Sequence, residues 1–333
     1  MPRALVALGA NLGDRAGTLG RAVDLLRANA QVSDCVHSRW HETPPIGGAP
    51  GQGPFLNGAV RLDTTLTPKA LQALLHQTEA TLGRERTERW AARALDLDLL
   101  LYEDLQLNTP TLTVPHPRMA FRRFVLEPAA EVAPDMIHPA IGWSISKLLD
   151  HLRSALPYVA LLGTPGSGKT ALAESLARWF GGRFVSDPSG NFAQPSPPNP
   201  PSHALWRQIQ FLDARSRVLD RRNWLDPAVL AVSDFYFDQA LSYAEIELDA
   251  REFVAFRDAW QIAHQQVVLP KLLVVLDEPA VNSPSAEQDR LRAALVRLAA
   301  RTRLGPVLYV GGVDHQAQFD EISAAMQAMQ PAD

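Results

Sequence analysis

The sequence predicts two domains: an α+β domain with a mixed or antiparallel sheet flanked by helices, followed by an α/β domain with a parallel sheet. Its 333 residues exceed the ~150 residues of one typical domain. The first half alternates segments of strand and helix periodicity. The second half opens on an apolar strand, a glycine-rich loop and a helix, which is how a parallel α/β domain begins.

The composition excludes several classes of protein. With 46% hydrophobic and 20% charged residues, the chain can build packed cores and is not globally disordered. The 32 basic residues do not outnumber the 36 acidic ones, which argues against nucleic acid as the main partner. Cys35 is the single cysteine, so no disulfide forms within the chain. Neither a secretory signal nor a membrane-spanning run is present, and we expect a cytoplasmic protein without membrane contact.

The elements of the first half follow from periodicity and capping. Thr67 is placed as an N-cap with Pro68 at the first helical position. Glycines and prolines crowded between positions 44 and 54 predict a long loop. The predicted strands are 4–8, 55–62 and 95–101, and the predicted helices are 18–28, 68–82 and 144–152.

We place the domain boundary near residues 154–157, with domains at 1–155 and 156–333. The second domain begins with a strand at 158–162, and a helix from 169 to about 180 follows the glycine-rich loop. Five prolines between positions 195 and 201 exclude helix and central strand there, and predict a mobile, partly polyproline loop.

Two carboxylates stand out in the first half. Asp96 and Asp98 are two apart on a predicted strand, so both side chains leave the same face. Paired carboxylate oxygens suit Mg²⁺, especially ions shared with phosphate, although an ion network with nearby arginines is the alternative. The cations at positions 84, 86, 89 and 93 could bind phosphate oxygens. Together these residues indicate phosphoryl transfer.

Several motifs in this half occur together and in a specific order. They are GANLGD at 9–14, TPP at 43–45, FLN at 55–57, ERWAARALDLDLL at 88–100, and LTVPHPRM with RRFVLEP between 112 and 128. Over residues 3–153 the chain resembles 6-hydroxymethyl-7,8-dihydropterin pyrophosphokinase of folate biosynthesis. The resemblance implies a ferredoxin-like sheet with flanking helices. It also implies transfer of the β,γ-diphosphate of ATP to the pterin hydroxymethyl group, with release of AMP.

The same resemblance implies a set of site residues. Asp96 and Asp98 would hold two Mg²⁺, and Arg84 and Arg93 would neutralise charge on the transferred group. The ATP contacts would be Glu79, Trp90, Thr113, His116 and Arg122. The pterin pocket would be formed by Thr43, Pro45, Ile46, Phe55, Asn57 and Phe124.

The second half carries a phosphate-binding loop. GTPGSGKT at 163–170 fits the pattern G-x-x-x-x-G-K-[ST] between an apolar strand and a helix. Its backbone N–H groups can surround a phosphate. Lys169 would reach the β- and γ-phosphates, and the Thr170 hydroxyl would bind one Mg²⁺. The predicted phosphate-binding residues are Gly163, Gly166, Ser167, Gly168, Lys169 and Thr170.

Residues 159–279 also resemble the deoxynucleoside kinases, which have the P-loop kinase architecture. The matching segments are the phosphate loop, FVSDPSGNF at 184–192, ALWRQIQFLDAR at 204–215, VSDFYFDQALSYA at 232–244, and LPKLLVVLDEP ending at 279. The resemblance implies that Asp187 is the catalytic base and that Gln208 and Arg215, two helical turns apart, bind the nucleobase. Asp234 would lie near the phosphates or the sugar. The chain departs from the family at Phe235, where the family has an arginine.

Three hypotheses for the whole chain remain open at this point. The second domain phosphorylates deoxynucleosides, it is a silent or regulatory nucleotide-binding module, or it is an ATPase without an acceptor. The small-molecule partners expected are ATP, the hydroxymethyl pterin and a deoxynucleoside. A homodimer through the second domain is a further expectation.

Overall fold

The computed structural model describes residues 1–47, 51–83, 93–191, 202–222, 224, 226, 228–277 and 286–331. Two compact units are present: Met1–Arg153 with Ser323–Asp333, and Ser154–Ile322. Arg84 and Trp90 of the predicted site lie outside the described residues, as does the proline-rich stretch at 195–201. Within the part of the chain that is described, no helix has the length and apolar character needed to cross a membrane.

The N-terminal unit is built on a five-stranded antiparallel sheet. The strand order is β2-β4-β1-β5, and β3 also pairs with β4. With α1 and α2 as the connections, this order is the predicted ferredoxin-like arrangement. Its strands are β1 (Arg3–Ala10), β2 (Val32–His37), β3 (His41–Thr43), β4 (Phe55–Thr64) and β5 (Asp96–Tyr102), and its helices are α1 (Arg15–Arg27) and α2 (Pro68–Thr81).

Helix α2 begins where the sequence places its cap, whereas α1 begins at Arg15, three residues before the predicted start at 18, with Asp14 as a cap that was not predicted. The Asp14 carboxylate accepts the Gly17 N–H at 3.0 Å, and the Thr67 hydroxyl accepts the Ala70 N–H at 3.3 Å. Sequence periodicity missed β2 and β3, because their residues are mostly exposed or half-buried and show no clean alternation. The rest of this unit comprises β6 (Leu107–Asn108), β7 (Thr113–Val114), α3 (Arg123–Val132), β8 (Ile137–His138), β9 (Trp143–Ser144) and α4 (Ile145–Ser154).

The core of this unit lies on one face of the sheet. Leu19 and Val23 of α1 and Leu75 of α2 pack there with Leu97 and Leu99 of β5. Successive side chains of a strand point to opposite faces. Asp96 and Asp98 therefore lie on the other face, where α3 packs against β1, β3 and β4.

Close packing at one glycine of this sheet leads to a first prediction. A Cβ on Gly58 of β4 would lie 2.4 Å from a ring carbon of Trp40, whose ring stacks on His37. We expect Gly58→Ala to lower the free energy of unfolding by ~1–3 kcal/mol, the usual cost of overpacking. The control is Gly20→Ala in α1, where nothing lies within 4 Å of the added Cβ. Equal urea midpoints for the two variants would contradict the prediction.

The C-terminal unit contains a parallel sheet with the strand order β11-β12-β10-β13-β14. Every residue of β10 and β13 is buried, as expected when helices cover both faces. The predicted α/β class is thus confirmed. Its strands are β10 (Tyr158–Leu162), β11 (Arg183–Val185), β12 (Ala231–Ser233), β13 (Leu272–Leu276) and β14 (Val307–Val310).

The helices of this unit are α5 (Lys169–Trp179), α6 (His203–Val218), α7 (Gln239–Glu247), α8 (Ala250–His264) and α9 (Ala286–Arg301). A last helix, α10 (His315–Ala328), begins in this unit and ends in the segment Ser323–Asp333 that groups with the N-terminal unit. The phosphate loop follows β10, the central strand of the sheet. Binding sites of parallel α/β sheets lie at the carboxyl ends of the strands. Asp234 directly follows β12 and Asp277 directly follows β13. Because these strands flank β10, the topology places one acid on each side of the loop.

Candidate functional site

The register of three strands brings two predicted groups of residues together in the N-terminal unit. In β1, Gly9 lies opposite Asn57 of β4 and opposite Asp96 of β5, and Ala7 lies opposite Asp98. Residues opposite one another in a sheet share a face. A Cβ on Gly9 would lie 3.2 Å from the Asn57 Oδ1 atom. The small residues of β1 therefore leave room between a predicted pterin residue and the predicted metal ligands.

The backbone positions a cation beside this carboxylate pair. Arg93 Nη1 lies 2.9 Å from Asp96 Oδ2. The Arg93 backbone N–H donates to Asn11 Oδ1 at 2.7 Å, and the Asn11 N–H donates to the Arg93 carbonyl at 3.1 Å. Asn11 lies in the loop between β1 and α1. This loop therefore holds the backbone of Arg93, which lies shortly before β5. The sequence pattern predicted the arginine but not its attachment to Asn11.

His116 lies on the other side of the pair. Its backbone N–H donates to the Leu100 carbonyl at 2.8 Å, and its Nδ1 accepts the Arg118 N–H at 3.2 Å. Its Nε2 lies 3.9 Å from Asp98 Oδ2. Burial, together with the charges of Arg122 and Arg118, lowers the pKa of His116 to about 3. The imidazole is therefore neutral near pH 7, with its proton on Nε2 because Nδ1 is an acceptor.

Arg122 keeps its charge in the same surroundings. Burial and the neighbouring Arg118 lower the pKa of Arg122 to about 10, while Asp98 and Asp96 oppose that shift. A group with a pKa near 10 is still protonated at neutral pH. The described part of the site thus presents two carboxylates together with the cations Arg93 and Arg122, a charge pattern suited to a polyphosphate with metal.

A cleft of about 250 Å³ adjoins the pair. Three predicted residues, Asp98, Thr113 and His116, line it. Gln72 and His76 of α2 also line the cleft, and the sequence analysis missed them. Gln72 Nε2 donates to the Thr111 carbonyl at 2.8 Å, which fastens the loop before β7 to the helix. Their spacing of four on one helix face is the signal that could have identified them.

The predicted pterin residues come from two adjacent strands and a helix. Asn57 Nδ2 donates to Thr43 Oγ1 at 2.8 Å, and Phe55 lies opposite Thr43 in the register of β3 and β4. Pro45 and Ile46 follow β3 and are half-buried. Phe124 is in the first turn of α3, which packs against both strands, and Arg122 lies over its ring with Cζ 5.6 Å from the centroid.

An ion pair holds β3 against α3, and it leads to a second prediction. Glu131 accepts hydrogen bonds from Arg39 and from His41 Nε2, at 2.8 and 2.9 Å. Burial alone would raise the pKa of Glu131, but the Arg39 and His41 bonds outweigh it and lower the pKa.

Because its pKa is lowered in the folded state, the Glu131 carboxylate stabilises the protein above the carboxyl's ordinary pKa of 4.5. This stabilisation is lost as the pH falls through the folded-state pKa. We expect Glu131→Gln to destabilise the protein at pH 7 and to make little difference at pH 3. Urea unfolding of both proteins across this range is the measurement, and a difference that is the same at every pH would contradict the ion-pair account.

In the C-terminal unit, the phosphate loop has the backbone that its glycines allow. Gly166 and Gly168 have φ angles of +85° and +77°, which favour glycine. Lys169 Nζ donates to the Thr164 carbonyl at 2.8 Å, and burial lowers the pKa of Lys169 although Asp234 and Asp187 oppose the shift. The Ser167 hydroxyl is buried and has no hydrogen-bond partner among the described residues.

Asp234 connects the loop to a second acid. Thr170 Oγ1 donates to Asp234 Oδ2 at 2.7 Å, and the Asp187 backbone N–H donates to Asp234 Oδ1 at 2.7 Å. Asp277 Oδ1 instead accepts two hydrogen bonds from Arg292, from Nε at 2.9 Å and from Nη2 at 2.7 Å. The acid that contacts the loop threonine is therefore the one after β12, not the one after β13.

The Asp187 carboxylate is surrounded by donors. Arg215 is buried and reaches both oxygens, Nε to Oδ1 at 3.0 Å and Nη2 to Oδ2 at 2.7 Å, and Gln239 Nε2 lies 3.3 Å from Oδ2. Burial would raise the pKa of Asp187, but the contacts with Arg215 and Ser189 together outweigh burial and lower it. Phe235, the departure from the kinase family, lies 5.9 Å from Arg215 Cζ. In this chain a buried arginine of α6 is thus the cation that contacts Asp187.

Gln208 is buried on the same helix but contacts a different acid. Its Nε2 donates to Glu247 Oε2 at 2.8 Å, and Arg207 Nη2 lies 2.6 Å from the same oxygen. Gln208 Oε1 is buried without a partner among the described residues. The structure therefore brings Arg215 to Asp187 and Gln208 to Glu247, and does not place the two predicted nucleobase residues on one partner.

Residues 5–134 match the family model described as 7,8-dihydro-6-hydroxymethylpterin-pyrophosphokinase. A 2-amino-4-hydroxy-6-hydroxymethyldihydropteridine pyrophosphokinase of Methylorubrum extorquens is 43% identical over 137 residues, which are 41% of this chain and 86% of that protein. The protein with the same name from Bacillus subtilis is 46% identical, covering 39% of this chain and 77% of its own length. A solved structure of deoxyadenosine kinase from M. mycoides has 14% identity and a TM-score of 0.40, covering 52% of this chain and 100% of that one.

Proposed function

The chain belongs to the 7,8-dihydro-6-hydroxymethylpterin-pyrophosphokinase family through its N-terminal unit, and on that premise we propose how its residues divide the reaction. The chain is a pterin pyrophosphokinase of folate synthesis, and its family uses Mg²⁺ and ATP. Asp96 and Asp98 hold two Mg²⁺ ions, and the pyrophosphokinase domain covers residues 1–155. The observation that carries this proposal is the register of Asn57, Gly9 and Asp96 across three strands.

The donor set fits the metal. Asp96 and Asp98 are half-buried carboxylates on one face, and hard oxygen ligands of this kind suit Mg²⁺. When bound, Mg²⁺ would neutralise charge on the phosphate oxygens. Among the described residues no group of three acidic, histidine or cysteine side chains could hold a metal ion, so at this site the protein would supply the two carboxylates. The remaining ligands would come from the triphosphate and from water.

The chain's own residues bind and orient the two substrates. The nucleotide occupies the cleft beside α2, in contact with Thr113, His116 and Arg122, and with Trp90 and Glu79. The pterin lies against Thr43, Pro45, Ile46 and Asn57, between the rings of Phe55 and Phe124. Its hydroxymethyl oxygen forms a bond to the β-phosphorus as the bond from that phosphorus to the oxygen of the α-phosphate breaks. The hydroxyl proton passes to water, and AMP leaves with the electron pair of the broken bond on its phosphate oxygen.

The cations act on the charge that this step moves. Arg93 is already at the pair, and Arg84 is proposed to join it on the bridging and leaving oxygens. Neutral His116 donates its Nε2 hydrogen to a phosphate oxygen instead of adding a charge. Orientation of both substrates over one sheet face supplies the proximity that such a transfer requires.

For the predicted second domain, at 156–333, we propose that ATP binds the loop at 163–170 and that a deoxynucleoside is the acceptor. One Mg²⁺ would join the nucleotide at Thr170, where Asp234 holds the hydroxyl. Asp187 would take the acceptor's proton, and Gln208 and Arg215 would contact the base. Ser167 Oγ and Gln208 Oε1 are buried and have no hydrogen-bond partner among the described residues, which supports a ligand at both places. A homodimer through this unit is part of the same proposal.

A silent or regulatory module is the second candidate, because the contacts with Arg215 and Ser189 lower the pKa of Asp187 and so weaken it as a base. An acceptor-independent ATPase is the third. The experiment follows AMP and ADP release by the full chain with ATP, Mg²⁺, the hydroxymethyl pterin and a panel of deoxynucleosides. Pterin-dependent AMP supports the first proposal, and its absence overturns it. Nucleoside-dependent ADP distinguishes the kinase from a silent module, and ADP without any acceptor indicates the ATPase.

A further inference from the structure

We infer that Glu79 is a positioning residue, which acts through the backbone of Leu97 to hold Asp96 and Asp98 in the geometry that binds metal. Its Oε1 accepts the Leu97 N–H at 2.7 Å. Leu97 is the residue between the two aspartates, so the bond fixes the peptide that joins Asp96 to Leu97. This inference rests on the proposed metal role of the pair, and it gives Glu79 an action in addition to its proposed contact with ATP.

The need for such an acceptor follows from the sheet. β5 is the last strand in the order β2-β4-β1-β5, so one of its edges has no strand partner among the described residues. A backbone N–H buried at a sheet edge costs free energy unless an acceptor meets it. Leu97 is buried with 4% exposure, and α2 packs against β5 at this place. The helix therefore supplies from its side chain the acceptor that a neighbouring strand would otherwise supply.

The choice of a carboxylate is informative. Glu79 is 2% exposed, and placing a carboxylate there is costly without hydrogen bonds or charge partners. The Leu97 N–H requires an oxygen acceptor, which a carboxylate or an amide side chain can supply. A second hydrogen bond at the same edge of β5 joins the Leu100 carbonyl to the His116 N–H, at 2.8 Å. The edge that carries both aspartates is thus held at two points, one from α2 and one from the His116 loop.

The opposite end of the segment is held as well. Arg93 pairs with Asp96, and Asn11 binds the backbone of Arg93. Arg93 thus restrains the Asp96 carboxylate, whereas Glu79 restrains the backbone between the aspartates. Outer groups that orient metal ligands typically change metal affinity or activity 10–100-fold when removed. Loss of Glu79 should therefore appear in the Mg²⁺ dependence before it appears in the fold.

The test compares Glu79→Leu, Glu79→Gln and, as a control on the exposed face of the same helix, Gln77→Leu. We expect Glu79→Leu to raise the Mg²⁺ concentration for half-maximal AMP release at least ~10-fold, with unchanged affinity for the pterin. Glu79→Gln keeps an oxygen acceptor, so its Mg²⁺ concentration for half-maximal AMP release should stay within ~3-fold of the wild-type value. The same is expected of Gln77→Leu. Without nucleotide or metal, hydrogen exchange at the Leu97 amide should be faster in Glu79→Leu and near wild type in Glu79→Gln.

Two outcomes overturn the inference: an unchanged Mg²⁺ dependence in Glu79→Leu, or a Glu79→Gln variant as impaired as the leucine variant. A rise only in the KM for ATP would assign Glu79 to nucleotide contact. If Glu79→Leu does not fold, leucic acid at position 97 replaces the N–H with an ester oxygen and must give the same Mg²⁺ shift. Full activity in Asp96→Asn and Asp98→Asn would refute the assignment of the metal to this pair. That outcome can be told apart from a failure of the role inferred for Glu79, which is tested by the Glu79 variants.

Discussion

Asp96→Asn and Asp98→Asn are each expected to reduce pterin-dependent AMP release ~10³-fold or more, because metal stabilisation of transition-state charge is worth several kcal/mol. Asparagine keeps the shape of the side chain and removes its charge. The loss should fall on turnover, since the pterin residues lie on β3, β4 and α3 and do not depend on the two carboxylates. Pterin affinity, measured by calorimetry, should change little.

The matched control is Asp63→Asn, the same substitution at the end of β4 that lies opposite Arg3. Asp63 pairs with Arg3 through a contact of 3.2 Å, far along the sheet from Gly9. It should leave AMP release within ~2-fold, as is usual for a surface ion pair. If either site variant retained more than a tenth of wild-type turnover, the assignment of the metal to this pair would fail.

Lys169→Ala should abolish nucleotide binding at the C-terminal loop and leave pterin-dependent AMP release unchanged. Lys169 is half-buried beside the loop and donates a hydrogen bond to the Thr164 carbonyl, and it is the cation that the sequence pattern predicts to reach the β- and γ-phosphates. We expect any nucleoside-dependent ADP release to fall at least ~100-fold, the scale of losing one charge-stabilising contact in phosphoryl transfer.

Equilibrium binding of a non-hydrolysable ATP analogue measures how many nucleotides each chain binds. The wild-type chain should bind two equivalents and Lys169→Ala one. Arg178→Ala, at the exposed end of the same helix, is the control and should still bind two. A parallel fall in AMP release would show that the units are coupled, and two bound equivalents in Lys169→Ala would refute nucleotide binding at the loop.

Much of the fold could be predicted because its signals are local. Alternation of aspartate and leucine predicted β5, Thr67 with Pro68 predicted the start of α2, and the apolar run before the phosphate loop predicted β10 with its observed bounds. The short strands β2 and β3 were missed, since edge strands with exposed residues lack the alternation that a buried face imposes.

The candidate site was only partly predictable. Sequence patterns identified Asp96, Asp98 and His116, but not Gln72 and His76 of the cleft wall, whose spacing resembles an ordinary solvated helix face. In the second unit the pairing of Arg215 with Asp187 was not predicted. It joins residues 28 apart, and only the packing of α6 brings them into contact.

By itself the sequence determined the chemistry available: two carboxylates on one strand face, a phosphate loop between strand and helix, and a set of motifs that identifies the pyrophosphokinase family. These signals can be recognised in the sequence because the strand period of 2.0 residues, the helix period of 3.6 residues and the need for glycine in certain turns all depend on residues close together in the chain. The tertiary structure alone decided which groups meet. Asn57 faces Asp96 across Gly9, Thr170 binds Asp234 and not Asp277, and Glu79 holds Leu97, because strand order and helix packing set distances between residues far apart in the chain.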